Sequence, residues 1–507
     1  MQTVQVATCR HCGDRAPYQA NALVIKFCMS EPAAGVLMEL DALILSRLQF
    51  AFVIAFHIMF PAFTIGLAAF LAVLEGLWLK TKRDVFLKLY LHWVKIFALA
   101  FAMGVVSGVV MSYQFGTNWS VFADKTGSVI GPLLGYEVLT AFFLEATFLG
   151  VMLFGWKRVG NRLHFISTLA VAIGTMISAF WILSANSWMQ TPQGFAIDAE
   201  GRFYATNWIE VIFNPSFPSR YVHMMLAAFI TTAAVVLAAG AAQVLRARVS
   251  DPTRWQMRMA AATLAVLMPL QIWAGHWSGE IAHEYQPAKV AAMEGWWETK
   301  EGQPTILFAI PDQENKRNLA EIGIPGLGDV VVGGEKPLKG LDAFPDTEHP
   351  PVFITFWSFR IMVGAGLGLL GLGLWGLWLW RSGKLTAPGV FHWLAVPGGS
   401  LGFIAVISGW VVAEVGRQPY TVYGALRTAD SVAPVPAEQV AFSLLVFMIV
   451  YAIIFTAGVV YMARIALRGF DDAPTGPPKE EQRAPGTPLG AVDDPAETAE
   501  DAVPAKA

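Results

Sequence analysis

Five side chains in otherwise apolar stretches are of types that bind iron or carry protons: His57, Glu137, His223, Met362 and Glu414. Polar groups of this kind are costly next to lipid, so they face a bundle interior and mark a site. With about 1.5 Å of rise per residue, each lies within a few turns of the same end of its predicted helix. Histidine, methionine and carboxylate gathered at one depth point to metal or haem ligation. Haem iron takes axial histidine, and a methionine opposite raises the potential. Taken singly, a membrane histidine is also a common hydrogen-bonded structural residue, and methionine is ordinary core filler. The shared depth is what favours a site.

Glu145 follows Glu137 by eight residues, so it lies about 12 Å deeper on roughly the same side. A stacked pair of carboxylates reads as a proton relay, which Ser178, and beyond it Asn186, could extend. The alternative is a structural hydrogen bond to a neighbouring helix. His92, His164 and His392 fall near cytoplasmic helix ends, where a polar tip reaches water.

The elements that must position these groups are membrane helices. Of 507 residues, 55% are hydrophobic and 14% charged, against about a quarter charged in soluble domains. Nine apolar runs cover about 47–77, 91–113, 130–155, 164–186, 219–245, 259–275, 352–380, 390–414 and 439–463. Each is long enough, or nearly so, to cross a core of about 30 Å. The expected fold is an all-α polytopic bundle. Basic residues follow every odd-numbered run, as in Lys80, Lys82, Arg83 and Lys157, Arg158, Arg162. The alternate loops are poorer, with Lys125, then Arg202 and Arg220, then Arg417 and Arg427. The positive-inside rule therefore puts the N-terminus outside and the C-terminus inside.

Helices one to six occupy 39–275 and helices seven to nine occupy 351–468. Between them a loop at 276–350 lies outside, long enough to be functional. Residues 1–38 read as a disordered leader or a start-site artefact with Met38 as the true start. Their CRHC sequence, Cys9 to Cys12, is half of a zinc site without its second half. Residues 469–507 read as a disordered cytoplasmic tail. No nucleic-acid motif stands out.

Spacing excludes two redox layouts. No helix carries two histidines a leaflet apart, and no two histidines are adjacent, as a copper site of the haem–copper type would need. A proton-coupled transporter with a buried Glu/His relay is the alternative. It calls for paired halves or broken helices, and the sequence suggests neither.

The motifs SRLQF (Ser46–Phe50), QFGTNWS (Gln114–Ser120), AFFLEATF (Ala141–Phe148), WILSANSWMQ (Trp181–Gln190), YVH at His223, FRIM at Met362 and GWVVAEVGRQP (Gly409–Pro419) together resemble subunit I of the cytochrome bd-type quinol oxidases. The resemblance runs from about Leu40 to about Tyr461. It implies a catalytic subunit that oxidises quinol at the outer face of the bacterial cytoplasmic (inner) membrane and reduces oxygen to water. Protons are drawn from the cytoplasm without pumping. It implies two haem b groups, one low-spin and one high-spin, and haem d or a further haem b in its place. His223 and Met362 resemble the low-spin ligands, and His57 and Glu414 resemble ligands of the high-spin pair. Glu137 resembles a residue beside the oxygen-binding haem, and Glu145 a proton-pathway carboxylate. Lys289 and Glu294 resemble the quinol-loop pair. Arg47, Arg360, Trp410 and Arg417 match positions near the haems, where arginines would pair with propionates. The implied partners are subunit II and a small single-helix subunit, besides lipid, quinol and oxygen. The loop is short for the family and resembles the branch that includes oxidases described as cyanide-insensitive. Tyr420 stands where the commonest pattern has tryptophan.

Overall fold

The computed structural model describes residues 41–332 and 337–470. The expected leader, its CRHC cluster and the tail beyond Phe470 lie outside the described residues. Among the described residues, nine helices or helix pairs are long and apolar enough to span a membrane. They are α1 (Ala42–Thr81), α2 (Asp84–Gly116), α3 with α4 (Ser120–Glu137, Phe143–Phe154), α5 (Asn161–Gln190) and α6 with α7 (Trp208–Ile212, Phe217–Leu245). Then come α8 (Asp251–Tyr285), α11 (Val352–Arg381), α12 with α13 (Val390–Gly398, Leu401–Val415) and α14 (Ala437–Leu467). Between α8 and α11 lie α9 (Pro287–Glu294), the antiparallel strands β3 (Thr305–Asp312) and β4 (Arg317–Ile324), and α10 (Leu327–Val332). Two small ribbons, β1 (Phe195–Ile197) with β2 (Phe203–Ala205) and β5 (Tyr420–Val422) with β6 (Leu426–Arg427), complete the elements.

All nine expected runs are helices, but the apolar count locates membrane cores rather than helix ends. α8 runs to Tyr285, ten residues past its expected end: the apolar run stops at Gly275, and the helix continues through the polar GHWSGEIAHEY. Asp41 caps α1 by accepting from the Leu43 amide at 2.8 Å, which starts that helix five residues earlier than its apolar run.

Two spans are irregular. A π-helical segment at Val138–Phe142 separates α3 from α4. The span that reads as one run at 390–414 breaks between Gly398 and Leu401, after Pro397. Pro397 withholds a backbone donor. A Cβ at Gly399 would come within 2.6 Å of Ala238, so the break also lets α12 approach α7. The expectation of unbroken helices fails at this one place.

α1 is the central element and packs on α2, α5, α7, α13 and α14. Its closest approach is at Gly66, where a Cβ would lie 2.5 Å from the Ala228 carbonyl oxygen of α7. Small residues let membrane helices meet at this range. Thr232 then donates 2.8 Å to the Phe63 carbonyl across the same contact. The loop at 276–350 packs on α11 and α13 through Phe356 and Val412, and within it Trp296 donates to the Pro304 carbonyl and Trp297 to Asn318 Oδ1. Gly295, with φ +75°, ends α9 in a left-handed turn.

Candidate active site

Glu414 lies in the last turn of α13 and is the hub of a buried polar cluster. Its Oε1 accepts from Asn186 Nδ2 at 3.0 Å and from Gln190 Nε2 at 3.2 Å, both on α5. Its Oε2 pairs with Arg417. Arg220 donates to Asn186 Oδ1, and Lys289 Nζ donates to Gln190 Oε1 at 2.6 Å. Three basic side chains thus converge on one carboxylate. Arg220, which reads only as a loop cation in the sequence, belongs to this buried cluster with Arg417. Arg417 Nε and Nη1 and Arg220 Nε are buried without an acceptor. Such groups are costly to leave unmade, so the cluster is built for an additional anionic partner.

The ring nitrogens of His57 and His223 have the following partners. His57 Nδ1 lies 3.0 Å from Ser107 Oγ, whose own hydrogen goes to the Gly104 carbonyl at 3.0 Å. Ser107 must therefore accept from Nδ1–H, which leaves the lone pair on Nε2, the state of a metal-binding imidazole. Gly108 lets the ring lie against α2, since a Cβ there would be 3.1 Å from Cε1. Gln271 Nε2 lies 3.1 Å from His223 Nε2, which accepts from that amide, while His223 Nδ1 is buried with no partner among the described residues. Met362 lays its sulfur over Gly409 of α13, where a Cβ would be 2.9 Å away.

Residues next to these in sequence pack together. Ile58, next to His57, packs in one cluster with Met224, next to His223, and with Trp410, next to Gly409. Trp410 is thus packed with residues that flank His57 and His223. Arg47, on α1, makes no hydrogen bond to a described residue. No group of three or more His, Cys, Asp or Glu that could hold a bare metal ion occurs among the described residues.

Glu137 accepts from Ser178 Oγ at 2.8 Å. Glu145 is buried against Gly174, one turn away on the same face of α5, where a Cβ would lie 2.7 Å from its Cγ. Glu145 Oε1 has no partner. Eight residues of regular α-helix would leave the two glutamates about 80° out of line. The π segment between them widens the turn and absorbs part of that offset. Along α5, the positions 174, 178, 186 and 190 face in turn Glu145, Glu137, Glu414 and Lys289.

Lys289 and Glu294 do not share a partner. α9 turns Lys289 toward Gln190 and Glu294 toward Arg360 Nη2 at 2.9 Å. Both are buried, with 5% and 4% exposure. Burial, helped by Arg220 and Arg417 and opposed by Glu414, holds the Lys289 ammonium well below the ordinary lysine value. Burial raises the Glu294 carboxyl against the pull of Arg360. Arg360 spends Nε, Nη1 and Nη2 on Glu294 and on the Ile306 and Met293 carbonyls, so its partners are in the 276–350 loop rather than at Glu414. Tyr420 donates to Glu348 Oε1 at 3.2 Å.

Three histidines expected to reach water are buried: His92 is 9% and His392 1% exposed, with His392 Nε2 2.9 Å from the Leu385 carbonyl, and His164 is the third. His164 does not reach water: it is 0% exposed, with Nδ1 2.7 Å from Glu75 Oε1 and Nε2 3.2 Å from the Met152 carbonyl. Thr168 donates to the other Glu75 oxygen at 2.6 Å. The signal was a lone glutamate inside FLAVLEGLW, of the same kind that singled out Glu145.

Residues 45–470 match the family model of cytochrome bd terminal oxidase subunit I. The cytochrome bd ubiquinol oxidase subunit 1 of Bacillus subtilis (strain 168) is 36% identical over 430 residues, covering 82% of this chain and 91% of the relative. The cytochrome bd-II ubiquinol oxidase subunit 1 of Escherichia coli (strain K12) is 32% identical over 513 residues, covering 87% and 99%. The bd oxidase structure from Geobacillus thermodenitrificans superposes with a TM-score of 0.78 at 29% identity, covering 84% of this chain and 98% of that one.

Proposed function

The chain belongs to the cytochrome bd terminal oxidase subunit I family, and we propose that its Glu414 cluster joins a quinol site in the outer loop to the haems that reduce oxygen. As a family member it is a multi-pass bacterial membrane protein and a quinol oxidase subunit that carries haem and works with subunit II. Membership displaces the transporter alternative.

The residues fit haem. His57 keeps a lone pair on Nε2, and His223 Nε2 is an acceptor that Gln271 would have to yield to iron. Gly108, Gly275 and Gly409 leave room beside His57, His223 and Met362. The unpaired N–H groups of Arg220 and Arg417 suit propionates. In our reading, His223 and Met362 hold a low-spin haem b, and His57 and Glu414 hold one high-spin haem each, a haem b and either haem d or a further haem b. Bound there, the haems supply one-electron transfer and oxygen reduction.

The other residues bind substrate and move protons. Lys289 and Glu294 hold quinol in the outer loop, and Arg360 orients Glu294. Trp410 packs with residues that flank His57 and His223, and Arg47 serves a propionate. Each quinol gives up two electrons and two protons, and reducing one oxygen to two waters takes four of each. With the N-terminus outside, quinol protons leave to the outside. Glu145 receives cytoplasmic protons and passes them to Glu137 with Ser178, so charge separates without a pump. A small single-helix subunit completes the complex.

The observation that carries this reading is the convergence of Asn186, Gln190, Arg220 and Arg417 on Glu414. Quinol-driven oxygen uptake by the purified complex tests it. Uptake that survives at full rate in Glu414→Ala would refute the ligand assignment.

A further inference from the structure

Gln190 closes the motif WILSANSWMQ and is 2% exposed. Its side-chain amide is fully used. Oε1 accepts from Lys289 Nζ at 2.6 Å and from Gln286 Nε2 at 3.1 Å. Nε2 donates to Glu414 Oε1 at 3.2 Å and to the Ala413 carbonyl at 3.2 Å. Donors alone lie on one side and acceptors alone on the other, so the amide has one allowed orientation. Gln286 also donates to the Gln190 backbone carbonyl at 2.8 Å, which fixes the residue in place. Gly416 lets the Lys289 stem pass α13, because a Cβ there would meet its Cγ at 2.9 Å.

From this geometry we infer that Gln190 is a positioning residue through which occupancy of the outer-loop site at Lys289 alters the hydrogen bonding of Glu414, and so the reduction potential of the haem that Glu414 holds. The inference rests on the proposed haem and quinol roles. A ligand that draws the Lys289 ammonium to itself removes one of the two donors to Gln190 Oε1. A less polarised amide is a weaker donor to Glu414, and a carboxylate with weaker hydrogen bonding is a more basic ligand. More electron donation favours the oxidised iron, so the potential falls when the loop site fills.

The test is a spectroelectrochemical titration of the purified complex, with and without the redox-inert quinol analogue 2-heptyl-4-hydroxyquinoline N-oxide. It is run on wild type, Gln190→Leu and Gln190→Glu, with analogue binding checked by calorimetry. Gln190→Glu keeps the acceptor for Lys289 and loses the donors to Glu414. The expected result is a downward shift of one high-spin midpoint in wild type, with most of the shift lost in both variants while the analogue still binds. An undiminished shift in a variant that binds analogue overturns the inference. So does a wild type that binds analogue with no shift, which decides the matter even if neither variant assembles. Failure of the underlying reading looks different: the wild-type complex would hold no haem or bind no analogue.

Discussion

The Asn186 amide stands between Glu414 and Arg220, donating 3.0 Å to the carboxylate through Nδ2 while Oδ1 accepts from the guanidinium. Two helices far apart in sequence, α5 and α13, are joined at this point through one side chain. Replacing Asn186 with leucine leaves Arg220 without its acceptor and Glu414 with one donor fewer. Losing a charge-assisted hydrogen bond costs about 1.5–3 kcal/mol. The expected outcome is a lower melting temperature and a reduced haem-to-protein ratio, both read on the purified complex.

Glu145 depends on the absence of a side chain at Gly174. Gly174→Val should push Glu145 off α5 without touching a candidate ligand. Haem content is expected to stay near wild type while oxygen uptake falls on the order of 10-fold or more, as misplacement of a reacting group does. A variant with full uptake would show that Glu145 does not carry protons.

The Glu75–His164 pair is dry and fully hydrogen-bonded. Removing one partner strands the other, at a cost of about 3–5 kcal/mol. Glu75→Leu should therefore melt far below wild type. The double variant Glu75→Leu/His164→Phe should recover much of the loss, because a well-packed apolar pair replaces a buried charge pair at little cost. Absence of any recovery would argue that the pair does more than hold α1 to α5.

Lys289 gives the protein a pH-dependent term. Its ammonium is disfavoured in the folded state, chiefly by burial, so the unfolded chain binds that proton more tightly. Between the folded value and the ordinary value of about 10.4, unfolding takes up a proton and stability rises with pH. Below that window the contribution is constant. Melting temperature measured across alkaline pH should rise less steeply in Lys289→Met than in wild type.

Much of this arrangement was legible in the sequence, for physical reasons. An apolar run long enough for a bilayer has few alternatives to a helix, so all nine spans were found. Helix ends were not, because α8 continues past its apolar run through a polar stretch that hydropathy does not count. The π segment and the break after Pro397 depend on packing between helices, and periodicity does not report them. His57, His223, Met362 and Glu414 stood out because each is an expensive or ligand-type group in an apolar run. Arg220 did not, because its charge near a helix start looks the same in a loop and in a buried cluster. His164 misled for the same reason: a histidine near a helix end reads as solvated until its partner, Glu75, is placed beside it.

The most direct test of the central claim is a dithionite-reduced minus air-oxidised absorption spectrum of the purified complex, with pyridine haemochrome analysis. The account predicts b-type bands, with a red-shifted chlorin band if haem d fills the oxygen site, and loss of a high-spin component in Glu414→Ala. A folded complex with no haem bands, or a Glu414→Ala spectrum identical to wild type, would contradict it.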